Sequence, residues 1–197
     1  MGQSRTSGIR DLILETAGNI FMKFGFKKTT MEDIAKALHR AKSSVYYYFN
    51  SKEEIYRDII QKERIEFNNE LNKVLEKENK PENRLKIYLT TRLRLLRKMM
   101  NYYSALMDKY LENYPFINEF RKKYFSDEVE GITKILKEGA KLGIYSINNF
   151  RQTATQISIA LKYLEEKAVI VDKINDIEKD MDGLLNLILY GIIKRKS

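Results

Sequence analysis

The sequence predicts an all-α protein: an N-terminal three-helix domain containing a helix-turn-helix, followed by a larger helical domain, about nine helices in all. Three observations carry that expectation. Two prolines and nine glycines in 197 residues leave few breaks. Apolar residues recur at helical spacing along nearly the whole chain. Capping signals stand where one apolar stripe ends and the next begins, as at Thr29–Asp33 and Ser51–Glu54.

The first helix covers residues 9–24, with Ile9, Leu12, Ile13, Ala17, Ile20 and Phe24 on one face and Gly25 as the left-handed residue that ends it. The stretch 3–8, with Arg5, is an arm that either enters a minor groove or stays disordered. Thr29 with Glu32, or Thr30 with Asp33, caps a second helix. Residues 31–49 read as a short helix, a tight turn and a second short helix. The run Val45-Tyr46-Tyr47-Tyr48-Phe49 has β-propensity, but it is short and lies between two helix-start signals, so it is assigned to the helix. Ser51-Lys52-Glu53-Glu54 opens a long helix to residue 78, which Asn79-Lys80-Pro81 breaks. Further helices are expected at 82–101, 103–113, 115–141, 148–171 and 174–194. The domain division follows: 1–52 as one unit, 53–197 as the other.

Composition removes much chemistry. With no cysteine, disulfides, thiolate catalysis and Cys-ligated zinc are excluded, and a single histidine, His39, cannot build a multi-histidine metal site. No nucleophile stands beside a base and no glycine-rich phosphate loop occurs, so neither an enzyme, a metal nor a cofactor is expected. No apolar run approaches the roughly 20 residues that span a bilayer, and Arg5 and Arg10 lack a following signal-type core. A cytoplasmic protein without a membrane partner is expected. The net charge of +9 favours polyanions. Residues 1–60 hold ten Lys/Arg against seven Asp/Glu, however, so most of the excess lies beyond them and charge alone does not identify the partner.

In residues 31–49, Ile34, Ala35 and Leu38 face inward from the first helix, and Val45, Tyr48 and Phe49 from the second. Ser43, Ser44 and Tyr47 then point outward. A helix fits the DNA major groove, where each base pair presents its own donor and acceptor pattern, and small hydroxyl residues at the helix start permit close approach.

The string Thr29-Thr30-Met31-Glu32-Asp33-Ile34-Ala35-Lys36-Ala37, then Val45-Tyr46-Tyr47-Tyr48-Phe49 and Ser51-Lys52-Glu53-Glu54-Ile55-Tyr56, closely resembles the N-terminal domain of the tetracycline-repressor (TetR) family of transcriptional regulators. The match reaches back through Ala17, Phe21 and Gly25 and covers residues 9–60; from Pro81 onward the likeness is architectural. The resemblance implies phosphate contacts by Thr29 or Thr30, Lys42, Tyr46 and Lys52 and places Ser43, Ser44 and Tyr47 nearest the bases; Arg40, which stands where the family has an apolar residue, is expected to add a further phosphate contact. The turn departs from the family pattern. Where members usually carry Ala-Gly-Val-Ser, this chain has Leu38-His39-Arg40-Ala41, which puts His39 in a left-handed backbone and removes the serine cap of the second helix.

In the C-terminal domain, Leu85, Leu89, Leu93, Leu96, Met100 and Tyr103 form one stripe with Arg92 near its centre. An arginine facing a core needs a partner; Glu128 is one candidate and an anionic ligand another. The resemblance implies an effector pocket here, which Tyr88, Arg92, Met99, Tyr103, Met107, Phe120, Tyr124 and Glu128 would line, though aromatics and methionines at helical spacing also suit plain core. The last two helices are apolar on more than one side. Besides the stripe Phe150, Ala154, Ile157, Leu161, Leu164 and Ala168, the positions Ile159, Tyr163, Ile170, Leu185, Leu189 and Ile193 call for a second covering surface. A symmetric homodimer through a four-helix bundle supplies it.

The expected function is a sequence-specific, dimeric regulator, a repressor that a small-molecule effector releases from a palindromic double-stranded DNA operator through tilting of the 52–78 helix. The competing expectation is a helical adaptor whose basic surface meets an acidic protein or a membrane without reading sequence.

Overall fold

The computed structural model describes residues 2–78 and 80–171, together with 183, 186 and 187. Among the described residues the chain is all-helical: α1 (Gly2–Phe24), α2 (Met31–Ala37), α3 (Lys42–Tyr46), α4 (Lys52–Lys77), α5 (Pro81–Lys98), α6 (Met100–Met107), a 3-10 segment (Lys109–Asn113), α7 (Pro115–Lys141) and α8 (Phe150–Val171). Of the ninth helix expected at 174–194, all but residues 183, 186 and 187 lie outside the described residues, Leu185, Leu189 and Ile193 among them. No described helix is long and apolar enough to cross a membrane.

The chain forms two compact units. The first comprises Met1–Asn68 with Leu96–Asp108, and the second comprises Asn69–Leu95 with Lys109–Ser197. In the first, α1 buries Ile13, Leu14, Ala17 and Phe21, a stripe of i, i+1, i+4 and i+8. Phe21, Phe26 and Tyr56 pack ring on ring, with centroids 4.8 to 5.4 Å apart. Arg10 ties α1 to α4 through Asp58 at 2.6 Å and lies 4.5 Å from the centroid of the Phe49 ring. Gly25, at φ 81, ends α1 by donating its N–H to Phe21 O.

In the second unit α7 and α8 pack along Ile132, Ile135 and Leu136 against Ala154, Ile157 and Leu161, all buried. Gly139 makes room for Tyr145, because a Cβ at that position would overlap the tyrosine ring. Gly143, at φ 73, closes α7 with a Schellman pair of bonds, Gly143 N–H to Ala140 O and Ile144 N–H to Gly139 O. Asn149 starts α8 by accepting from Gln152 N–H at 3.0 Å.

Several elements differ from the sequence expectation. The buried stripe of α1 is rotated: Leu12 and Phe24 are exposed, while Leu14 and Phe21 are inside. The backbone of the expected arm continues α1. The boundary expected after residue 101 falls instead at Met99 (φ −104, ψ 78), and the single helix expected at 103–113 is two elements, because the chain leaves helical geometry again at Asp108 (ψ 110). Neither position carries a proline or glycine, so the break has no local punctuation to announce it. Tyr48 is half-buried rather than inside, and α3 stops at Tyr46 with Tyr47 as its C-cap.

Candidate nucleic-acid interface

The two helices of the reader are fixed chiefly by backbone and capping bonds. Thr30, not Thr29, caps α2: Thr30 Oγ1 accepts from Asp33 N–H, and Asp33 Oδ2 accepts from Thr30 N–H at 2.9 Å. Hydrogen bonds from the Thr30 side chain and backbone hold the exposed Asp33 carboxyl below its usual value. Thr29 is buried, and its hydroxyl donates to Gly25 O. At the other end of α2, His39 N–H donates to Lys36 O and Arg40 N–H to Ala35 O, both at 3.0 Å, with His39 at φ 52. That is a Schellman turn with histidine in the position glycine favours.

Ala41 precedes α3 and has no side-chain acceptor to offer the first turn. Val45 and Phe49, both buried, fix the rotation of α3. The opposite face therefore presents Lys42, Ser43, Tyr46 and Tyr47 to solvent. Tyr47 is 80% exposed and so contributes little to the core; its ring stands edge-on to that of Tyr48. The Lys42 ammonium lies 5.8 Å from the centroid of the Tyr46 ring, one helical turn on. Ser44 is half-buried, and Arg40 is exposed in the turn. Lys52 is engaged elsewhere: its ammonium donates to Phe26 O and Thr29 O at 2.8 Å and to Lys27 O at 3.3 Å, and it lies over the Phe26 ring. It clamps the loop between α1 and α2. No local pattern announces this, since Lys52 and those carbonyls are more than twenty residues apart.

Ser51 and Glu54 make half of the expected reciprocal cap. Ser51 Oγ accepts from Glu54 N–H, but Glu54 reaches back one residue further, to the N–H and side-chain amide of Asn50.

The residues named for an effector are divided between the units. Arg92, Tyr124 and Glu128 come together in the second, where the Arg92 guanidinium pairs with Glu128 Oε2 and donates to Tyr124 Oη. Arg92 and Glu128 are both almost fully buried, Tyr88 is buried, and Phe120 is half-buried. Glu128 Oε1 has no hydrogen-bond partner. Met99 and Tyr103 belong to the first unit, and Met107 is the last residue of α6. On α8, Ile159 and Tyr163 are 58% and 69% exposed.

A helix pair with an exposed polar and aromatic reading face, set at the front of an all-helical chain, defines a helix-turn-helix DNA-binding transcriptional regulator. Residues 13–59 match the family described as bacterial regulatory proteins, tetR family. The chain is 28% identical over 195 residues to the HTH-type transcriptional regulator QacR of Staphylococcus aureus, covering 94% of this chain and 99% of that one. It is 38% identical over 53 residues to the biofilm operon icaADBC HTH-type negative transcriptional regulator IcaR of Staphylococcus epidermidis, a match covering 27% of this chain and 29% of that one. In fold it is similar to a transcriptional regulator from Saccharomonospora viridis solved with choline, at TM-score 0.84 and 20% identity, covering 96% of this chain and all of the other. Residues 13–59 thus carry the tetR-family domain, and the likeness to QacR runs over nearly the whole chain.

Proposed function

We propose that the protein is a cytoplasmic, homodimeric repressor that binds a pseudo-palindromic operator and is released by a small-molecule effector. The observation that carries this reading is the face of α3, where Lys42, Ser43, Tyr46 and Tyr47 are exposed over buried Val45 and Phe49. Lys42 and Tyr46 contact phosphate, with Thr30 and Arg40 beside them, while Ser43, Ser44 and Tyr47 meet base edges. IcaR, a negative regulator by name, shares the N-terminal segment and supports repression.

For the effector, the support is the buried group on α5 and α7. Arg92 and Glu128 neutralise one another, which disfavours a simple anion as ligand. The open Oε1 of Glu128 is an acceptor for an N–H or O–H of a ligand seated near Tyr88, Phe120 and Tyr124. The choline found with the Saccharomonospora viridis regulator is consistent with a small organic effector. Such a ligand acts only through its different affinity for the DNA-competent and released states.

Selection of binding sites from random duplex DNA at moderate salt tests the reading. An inverted repeat is expected to be enriched. Lys42→Ala should weaken all enriched sites alike and reduce the salt slope by about one, while Tyr47→Ala should change the preferred bases. Enrichment of nothing would refute sequence reading and favour a basic adaptor.

A further inference from the structure

The first compact unit holds a cavity of about 290 Å³ between α1, α4 and the first turn of α6. Helical spacing brings its walls together. On α1, Asp11, Leu14, Glu15, Gly18 and Met22 fall on one face, and on α4 so do Ile59, Lys62, Glu63 and Glu66. Asn101 closes it from α6. Leu14, Gly18 and Ile59 are buried and form an apolar floor, while Asp11, Glu15, Lys62 and Glu66 are exposed around it.

The charge of the lining opposes that of the chain. Four carboxylates, Asp11, Glu15, Glu63 and Glu66, stand against the Lys62 ammonium, a formal −3 in a protein of net charge +9. Lys62 is already engaged by Asp11 at 3.2 Å, and Glu66 reaches Lys98 at 3.7 Å. Glu15 has no ion pair or hydrogen bond among the described residues. Burial, with Glu66 one turn away, pushes the Glu63 carboxyl up in spite of the bonds it accepts from Asn101 Nδ2 at 2.9 Å and Tyr102 N–H at 2.7 Å.

Asn101 is 3% exposed, and its amide is only half used. A carboxylate can only accept, so the amide nitrogen must be the end that faces Glu63, and Oδ1 is turned the other way. Among the described residues nothing donates to that oxygen. A carbonyl oxygen set so deep costs stability unless a donor reaches it, and the cavity that Asn101 lines gives a donor access. No group of three or more carboxylates or histidines that could hold a metal ion occurs among the described residues, so the lining suits a cation whose charge is spread out.

We propose that this cavity binds a small aliphatic polyamine, one primary ammonium donating to Asn101 Oδ1 and the others pairing with Glu15 and Glu66, with the methylene chain laid on Leu14, Gly18 and Ile59. Ammonium groups separated by methylenes match an acidic rim over an apolar floor, and a primary ammonium brings three donors where a quaternary one brings none. All the lining residues belong to the first unit, whereas Arg92, Tyr124 and Glu128 belong to the second, so the site does not rest on the effector reading.

Isothermal titration of the full-length protein with spermidine at moderate salt tests this. A single saturable site per chain is expected, and the side-chain amide resonance of Asn101 should move as it fills. Glu15→Gln with Glu66→Gln, both exposed, should weaken binding on the order of tenfold. Glu76→Gln with Glu130→Gln, two exposed carboxylates outside the cavity, should leave it unchanged. Gly18→Ala should also weaken it: the new Cβ would stand 3.4 Å from Asn101 Nδ2, a contact the fold tolerates while the methyl narrows the floor. Displacement of spermidine by tetramethylammonium or Mg²⁺ at matched ionic strength would reduce the effect to counterion attraction and overturn the proposal. Unsaturable heats, or an affinity that both double variants lower alike, would overturn it too. None of these readouts needs DNA, so they decide even where site selection enriches nothing and the regulator reading itself falls.

Discussion

At the residue scale the most exposed departure from the family pattern is His39. It ends α2 at φ 52, a backbone region that costs a β-carbon residue about 1 kcal/mol or more relative to glycine. Its side chain is exposed, so no packing contact of a buried group offsets that cost. His39→Gly is therefore expected to raise stability by about 0.5–1 kcal/mol, despite the greater freedom glycine gives the unfolded chain. Urea unfolding followed by far-ultraviolet circular dichroism measures it; a loss of stability would mean that the imidazole makes a contribution that the turn geometry does not reveal. This residue was legible in advance, because the resemblance sets it where family members usually carry glycine. Lys52 was not. Its exposure to phosphate was inferred from position in a motif, whereas its ammonium is turned onto three carbonyls of a loop that lies beside it only once α1 has packed on α4.

At the scale of elements, caps and periodicity located α2, α4, α7 and α8 closely, since those signals are local and the bonds that satisfy them lie within four residues. Where packing overrides local signals the sequence was a poorer guide, as in the rotated face of α1 and the break at Met99. The placement of Arg92 on the buried side of α5 was readable from its helical angle, and the structure resolves its partner as Glu128 on α7. Glu128→Leu alone should destabilise the protein by about 3–5 kcal/mol, because it leaves a buried guanidinium without its carboxylate. Adding Arg92→Met should recover most of that loss, as apolar groups of similar volume then fill the site. A double-mutant cycle of unfolding free energies measures the coupling. Additive losses would mean that the two groups are independently solvated and that the pair does not hold α5 to α7.

For the whole molecule, the least legible feature was which surface is left over once one copy has folded. The sequence marks two apolar stripes on α8 without saying which faces inward. In the folded chain Ala154, Ile157 and Leu161 are buried, whereas Ile159 and Tyr163, one turn apart, remain largely exposed. Exposed isoleucine and tyrosine at i, i+4 make a ridge that a second copy can cover symmetrically, and a palindromic operator requires two readers held together. Joining them raises operator affinity without any new DNA contact, because binding of the second head becomes intramolecular. The double variant Ile159→Glu, Tyr163→Glu places like charges on both sides of that ridge. Sedimentation should then give the 23.3 kDa mass of one chain in place of twice that value. Affinity for the full inverted repeat should fall toward that for a single half-site, with half-site affinity itself unchanged because α3 is untouched. A two-chain mass retained by the double variant would move the interface away from this face of α8; a one-chain mass for the wild type, with full-repeat affinity no higher than half-site affinity, would remove the dimer from the mechanism.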